Sequence, residues 1–161
     1  MIAFIARLFS RSEPSLSEAS PRDAARFAAL HSASFRRGWS EGEFERLLID
    51  RNITAHRAAI GTDLAGFILS RRAADEAEIL SVAVASSWRG RGLATRLLGL
   101  HLRRLAGLGV RAVFLEVDAD NAPARSLYAG AHFRQISRRE AYYRQSTGGA
   151  STALVLRREL N

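Results

Sequence analysis

The chain has 161 residues, 47% of them hydrophobic, and a formal net charge of +8, which is about the usual length of one domain with enough apolar material for a core. It contains no cysteine, so disulfides, thiolate metal sites and a cysteine nucleophile are excluded, and a reducing cytoplasm is the expected setting. Its positive charge is all arginine, because lysine is absent; such a surface should attract phosphate-rich cofactors or RNA, and would receive a basic peptide only through an acidic patch.

Taken in order, residues 1–11 (MIAFIARLFSR) set Ile2, Ile5, Leu8 and Phe9 on one helical face, the pattern of a short surface or membrane-interface helix. They lack the basic start, long apolar core and A-x-A site of a signal peptide, and no later run is long enough to span a bilayer. SRSEPSLSEAS follows as a polar linker or an irregular first strand. Residues 1–19 therefore read as an extension and linker, and residues 20–161 as a single domain. Ser20-Pro21-Arg22-Asp23 has the cap, the proline and the early acid of a helix start, leading through Phe27, Leu30 and His31. Ser40-Glu41-Gly42-Glu43 is a capping box before Phe44, Leu47 and Leu48. The strand-like runs ITAHRAAIG, DLAGFILSRR and AEILSVAVA are close enough in sequence to form an antiparallel meander. After WRGRGLAT come a leucine-rich helix to about Gly107, a strand VRAVFLEV, a shorter helix from Asn121 to Tyr128, and two last strands near FRQISR and ALVLRREL. Two helices, a meander and then β-α-β-α-β predict a mixed α+β sheet whose later strands are partly parallel.

The chemistry concentrates in the second half. WRGRGLAT, Trp88 to Thr95, stands where a strand hands over to a helix. A helix N-terminus exposes unpaired N–H groups and a partial positive charge; glycines let an anion approach the backbone and arginines add charge at the rim. The spacing matches neither a P-loop nor the dinucleotide fingerprint, which disfavours a nucleoside triphosphate or a nicotinamide. Glu116 sits in a strand among Val113, Phe114, Leu115 and Val117, and a carboxylate desolvated there would be a usable general base. Asn121 caps the next helix, and Tyr128 follows about two turns on along the same face. His31, His56, His101 and His132 are scattered without an i, i+4 pair or a carboxylate cluster, so no metal site is expected.

Residues Glu78 to Phe133 resemble the acetyl-CoA-binding half of the GNAT acyltransferase superfamily. SVAV stands as the cofactor-edge strand, Arg89-Gly90-Arg91-Gly92-Leu93-Ala94 as the pyrophosphate loop, and Asn121 and Tyr128 fall in the N-x-x-A-x-x-L-Y element. FRRGWSEGEF, through Phe35, Trp39, Ser40 and Phe44, and RREAYYR, through Arg138, Arg139, Tyr142 and Tyr143, extend the resemblance to the RimI-like branch, the ribosomal-protein alanine N-acetyltransferases. It implies an α+β fold: a central, mostly antiparallel twisted sheet of six or seven strands, with a parallel pair at the cofactor cleft and about four flanking helices. It also implies direct transfer from acetyl-CoA, without metal, to a protein N-terminal α-amine, the N-terminal alanine of a small-subunit ribosomal protein being the leading acceptor. Carried onto this chain, the backbone of Val82, Ala83 and Val84 would pair with the pantetheine arm, and Arg89, Gly90, Arg91, Gly92, Leu93, Ala94 and Thr95 would hold the pyrophosphate. Asn121 would bind the pantetheine arm, Glu116 would take the amine's proton, directly or through a water, and Tyr128 would protonate the departing thiolate. Trp39, Tyr142 and Tyr143 would line the peptide end. A cytoplasmic monomer or weak dimer that needs no direct nucleic-acid contact is the matching expectation.

The departures lie on the substrate side. Leu127–Phe133 reads L-Y-A-G-A-H-F, with His132 where the family usually has glycine; histidine tolerates the left-handed conformation better than most residues. Arg144 and Thr152 stand where proline and aspartate are common in the branch. Two other readings stay open: a GNAT enzyme acting on lysine side chains or small amines, and a catalytically inactive basic module docking RNA or ribosomes through Arg96, Arg103 and Arg104.

Overall fold

The structure, a computed structural model, describes residues 12–144 and 150–161. The N-terminal segment read as a short surface helix and residues 145–149 lie outside the described residues, as do the side chains of residues 141–144 and 150. The chain runs β1 (Ser15–Glu18), a 3-10 turn (Pro21–Asp23), α1 (Ala24–Ser34), α2 (Glu41–Ile49), β2 (Ile53–Ile60), β3 (Asp63–Ala73) and β4 (Glu76–Val84). A second 3-10 turn (Ser86–Trp88) leads to α3 (Leu93–Gly107), β5 (Ala112–Asp118), α4 (Ala122–Gly130), β6 (Arg134–Arg144) and β7 (Ala150–Glu159). The seven strands form one sheet in the order β1-β2-β3-β4-β5-β7-β6.

The segment read as a linker or irregular strand supplies β1, which pairs antiparallel with β2. The meander forms as expected, β2 to β3 to β4. The β4–β5 pair is parallel, while β7 enters between β5 and β6 and is antiparallel to both. The parallel pairing holds only over Glu76↔Ala112, Ala77↔Val113 and Glu78↔Phe114, and beyond it the two strands separate. One cause is a bulge in β4: Leu69 faces Ser81 and Ser70 faces Ile79, which leaves Leu80 as the extra residue, and such an insertion bends its strand.

Each face of the sheet carries its own core. Leu93, Leu97, Leu98, Leu102 and Leu105 of α3 repeat at helical spacing and pack with Ile68, Val113, Leu115, Val117 and Tyr128. The other core joins Phe27 of α1 and Phe44 of α2 to Phe67, Leu69 and Ala83, with Phe27 and Phe67 stacked at 4.4 Å. Each fully buried side chain of this size stabilises the fold by about 1.5–3 kcal/mol. The α2 capping box is present: Ser40 Oγ accepts the Glu43 N–H and the Glu43 carboxylate accepts the Ser40 N–H. At α1 the structure goes further than a cap. Asp23, 1% exposed, accepts the Ser20 N–H at 2.9 Å and pairs at 2.6 Å with both Arg26 and Arg57, which ties the helix start to β2.

Candidate functional site

The parting of β4 and β5 opens a cavity of about 800 Å³, lined from β4 by Ile79 to Val82, from β5 by Leu115 to Asp118, from α4 by Asn121, Ala124 and Tyr128, and from the α1 side by His31, Phe35 and Trp39. It is reached from both cores, because its walls include Tyr128 and Val117 of one and Trp39 and Leu80 of the other.

The free edge of β4 presents a strand-like hydrogen-bonding face. Ala85 N–H bonds to Ala65 on β3, so alternation turns the main-chain groups of Val82 and Val84 toward the split and those of Ala83 toward β3. Of Val82, Ala83 and Val84, two therefore turn their main-chain groups toward the split. The Val84 carbonyl accepts Arg89 Nε–H at 3.0 Å, so Arg89 folds back along β4 instead of standing at the loop rim. Arg91 lies over the Trp88 ring at 4.9 Å.

The geometry of the loop leaves room for an anion. Gly90 and Gly92 have φ of +73° and +77°, and a Cβ at either would meet nothing within 4 Å, so the glycines serve the turn and leave open space above it. Gly92 is the N-cap of α3, with no side chain capping the helix and no acidic residue in its first turn. The amides of Leu93, Ala94 and Thr95 precede the first helical bond, Arg96 N–H to Gly92, and lack a partner within the helix.

Glu116 differs from its expected setting. Its side chain is 28% exposed and pairs with Arg139 at 3.1 Å. The apolar neighbours misled because strand residues alternate: Val113, Leu115 and Val117 enter the α3 core, while Glu116 and Asp118 turn to the opposite face and the cavity. Tyr128 is buried at 6% exposure, its ring edge-on to Phe133 at 5.5 Å, and burial pushes its hydroxyl up to about 12. Asn121 caps α4, its side chain accepting the Ala124 N–H at 3.2 Å. His132 takes the left-handed turn with φ of +65°.

Trp39 lines the cavity from the α1 side and stacks on His31 at 4.5 Å. His31 Nδ1 accepts the Trp39 amide N–H at 3.0 Å, which leaves the ring proton on Nε2. Burial lowers its pKa, the Glu43 carboxylate opposing, so His31 is a neutral ring with its basic nitrogen already engaged. Tyr142 and Tyr143 lie in β6, but their side chains, with that of Arg144, fall outside the described residues. Sequence reasoning gave no site role to His31, Phe35, Arg36, Arg37 or Asp118, all of which line the cavity; Asp118, two residues from Glu116, had a signal in the alternation of a strand, and Phe35 had one in the FRRGWSEGEF resemblance. Of the arginines read as an RNA face, Arg96 pairs with Glu13 and Arg104 with Glu18.

No described helix is long and apolar enough to cross a membrane. Residues 24–133 match the acetyltransferase (GNAT) family. The chain is similar to an uncharacterized protein of Mycobacterium leprae, 34% identical over 86% of this chain and 39% of that one. It is also similar to the [ribosomal protein bS18]-alanine N-acetyltransferases of Haemophilus influenzae, 33% over 56% of this chain and 62% of that one, and of Escherichia coli, 30% over 73% and 78%. The match thus spans less than two thirds of the first two relatives' own length. Among solved structures, the E. coli ribosomal-protein-S18-alanine N-acetyltransferase superposes with a TM-score of 0.84 at 24% identity, over 92% of this chain and 94% of that one. Arabidopsis thaliana NAA60, solved with acetyl-CoA, gives 0.79 at 22%, over 92% and 99%. With a split sheet, a glycine turn at the start of α3 and a family match over residues 24–133, the chain belongs to the GNAT acetyltransferase family.

Proposed function

We propose that the protein transfers an acetyl group from acetyl-CoA to the α-amine of a protein N-terminus, the N-terminal alanine of a small-subunit ribosomal protein being the leading acceptor. The observation that carries the reading is one cavity through a split sheet in which Glu116 and Tyr128 both take part. The relatives named as alanine N-acetyltransferases support the choice of acceptor.

The residues present suit acetyl-CoA. Val82 and the Val84 N–H offer an extended ligand a strand edge, with the Val84 carbonyl already taken by Arg89, and the Gly90–Thr95 turn offers amides unpaired within the helix, with no carboxylate in the first helical turn. Bound there, acetyl-CoA supplies an activated thioester with a thiolate leaving group. Glu116 receives the amine's proton. It is partly exposed and paired with a cation, and an α-amine suits such a base: with a pKa near 8 against about 10.4 for lysine, the neutral form is roughly 250-fold more abundant. Tyr128 faces the departing sulfur. With its hydroxyl near 12, complete transfer to a thiolate of pKa about 8.5 would be uphill by roughly 5 kcal/mol. Its role is therefore to stay protonated and hold the sulfur by a hydrogen bond while charge develops. Fixing both reactants in one cavity supplies much of the remaining acceleration.

The test is incubation with acetyl-CoA and a panel of peptides with free or blocked N-termini, followed by location of the acetyl group by mass spectrometry. Transfer confined to free N-termini supports the proposal. Transfer confined to lysine side chains or small amines replaces it with the other GNAT reading.

A further inference from the structure

One buried polar atom of a cavity-lining residue has no partner among the described residues. Ser81 is 8% exposed, and its buried Oγ makes no hydrogen bond among the described residues. A buried hydroxyl left unpaired costs about 1–3 kcal/mol, and alanine would fit the same strand without that cost.

The bulge explains where this hydroxyl points. Ile79 and Val82 pack toward the α3 core, Leu80 and Ala83 toward the α1–α2 core. Alternation back from Val82 puts Ser81 on the α1–α2 side as well, so Leu80 and Ser81 share a face, as an inserted residue requires. That is also the face of Glu116, which lies between the inward Leu115 and Val117 on β5. Counting from the last parallel pair, Glu78↔Phe114, two residues reach Glu116 on one lip of the split and three reach Ser81 on the other, the extra step being the bulge.

We propose that Ser81 Oγ binds the acceptor's amine opposite Glu116. The inference rests on the reading of the cavity as an acetyl-transfer site. A neutral primary amine has two N–H donors and one lone pair. With one N–H donated toward Glu116, directly or through a water, and the other donated to Ser81 Oγ, the lone pair is left facing the thioester carbonyl. Ser81 then selects primary amines, because a neutral secondary amine has a single N–H and cannot satisfy both lips of the split.

The experiment compares two alanine-initiated peptides, one with a free amine and one N-methylated, on wild-type, Ser81→Ala and Ser81→Thr proteins with saturating acetyl-CoA. Ser81→Ala should lower kcat/KM for the primary amine about tenfold, in the range of one hydrogen bond, with the KM for acetyl-CoA unchanged, and Ser81→Thr should restore most of it. The penalty for N-methylation should shrink about tenfold in Ser81→Ala, a coupling that a packing role would not produce. Unchanged kcat/KM in Ser81→Ala, or an equal N-methylation penalty in wild type and Ser81→Ala, overturns the assignment. If wild type acetylates neither peptide but does acetylate lysine or small amines, the N-terminal reading fails instead, and the same comparison of a primary amine with its N-methyl derivative then decides the role of Ser81.

Discussion

Acidification between pH 6.5 and 4 should destabilise this protein through one buried ring. His101 on α3 is fully buried, with its Nδ1 2.8 Å from His56 Nδ1 and its Nε2 2.6 Å from Ser70 Oγ. Burial, aided by neighbouring His56, lowers its pKa from 6.5 to about 3. The folded value is depressed, so below pH 6.5 the unfolded chain takes a proton that the folded chain refuses, and stability is lost as pH falls through the window from 6.5 to 3. Linkage with those two values gives a loss of about 2 kcal/mol between pH 7.5 and 5 and about 3 kcal/mol by pH 4, with a slope near 1.3 kcal/mol per pH unit around pH 5. Against a total stability of about 5–15 kcal/mol this is a large share. Urea unfolding at a series of pH values reads the slope directly. His101→Gln, which keeps hydrogen-bonding groups but does not titrate, should be less stable at neutral pH and should lose about one proton's worth of slope. An equal slope in the variant and the wild type would refute the reasoning and move the acid sensitivity to other groups, His31 and His56 first, since burial lowers both.

Four other outcomes follow from the geometry. Glu116→Gln should reduce kcat roughly 100-fold, most severely at low pH where the amine is least deprotonated, while the Kd for acetyl-CoA stays put; unchanged turnover would remove Glu116 from the base role. Tyr128→Phe should lower kcat about tenfold or more with the KM for acetyl-CoA nearly constant, and a KM effect alone would make the ring a packing element only. Gly92→Ala meets no clash, but φ of +77° costs an alanine about 1–2 kcal/mol, so calorimetry should show acetyl-CoA binding about tenfold weaker; an unaltered Kd would argue against the loop as the anion seat. Asp23→Ala leaves two partly exposed arginines without their shared carboxylate and the Ser20 N–H without its acceptor and should cost about 1–3 kcal/mol in a denaturant melt, a loss under about 0.5 kcal/mol being the contrary result.

Local chemistry was readable from the chain; most long-range pairing was not. The Ser40 capping box, the Gly90–Gly92 turn, the Asn121 cap and the left-handed His132 each depend on a few adjacent residues, and each formed as written. The site depends on how distant strands meet. Apolar neighbours suggested that Glu116 was desolvated, but the face it presents follows from the period of β5, and its partner Arg139 lies on β6, two strands away across β7. The insertion at Leu80 shows only when β4 is laid against β3, so nothing in the letters of SVAV singled out its serine. His31 likewise became part of the site through a contact eight residues along, with Trp39 closing onto its ring.

The central claim is that this cavity acetylates an α-amine in preference to a lysine. A single peptide carrying both a free N-terminal alanine and an internal lysine puts the two amines in direct competition at equal concentration. After limited reaction with acetyl-CoA near neutral pH, tandem mass spectrometry should find the acetyl group on the N-terminal nitrogen, with the Glu116→Gln protein showing the same preference at a much lower rate. Acetyl on the lysine with the N-terminus left free would contradict the account.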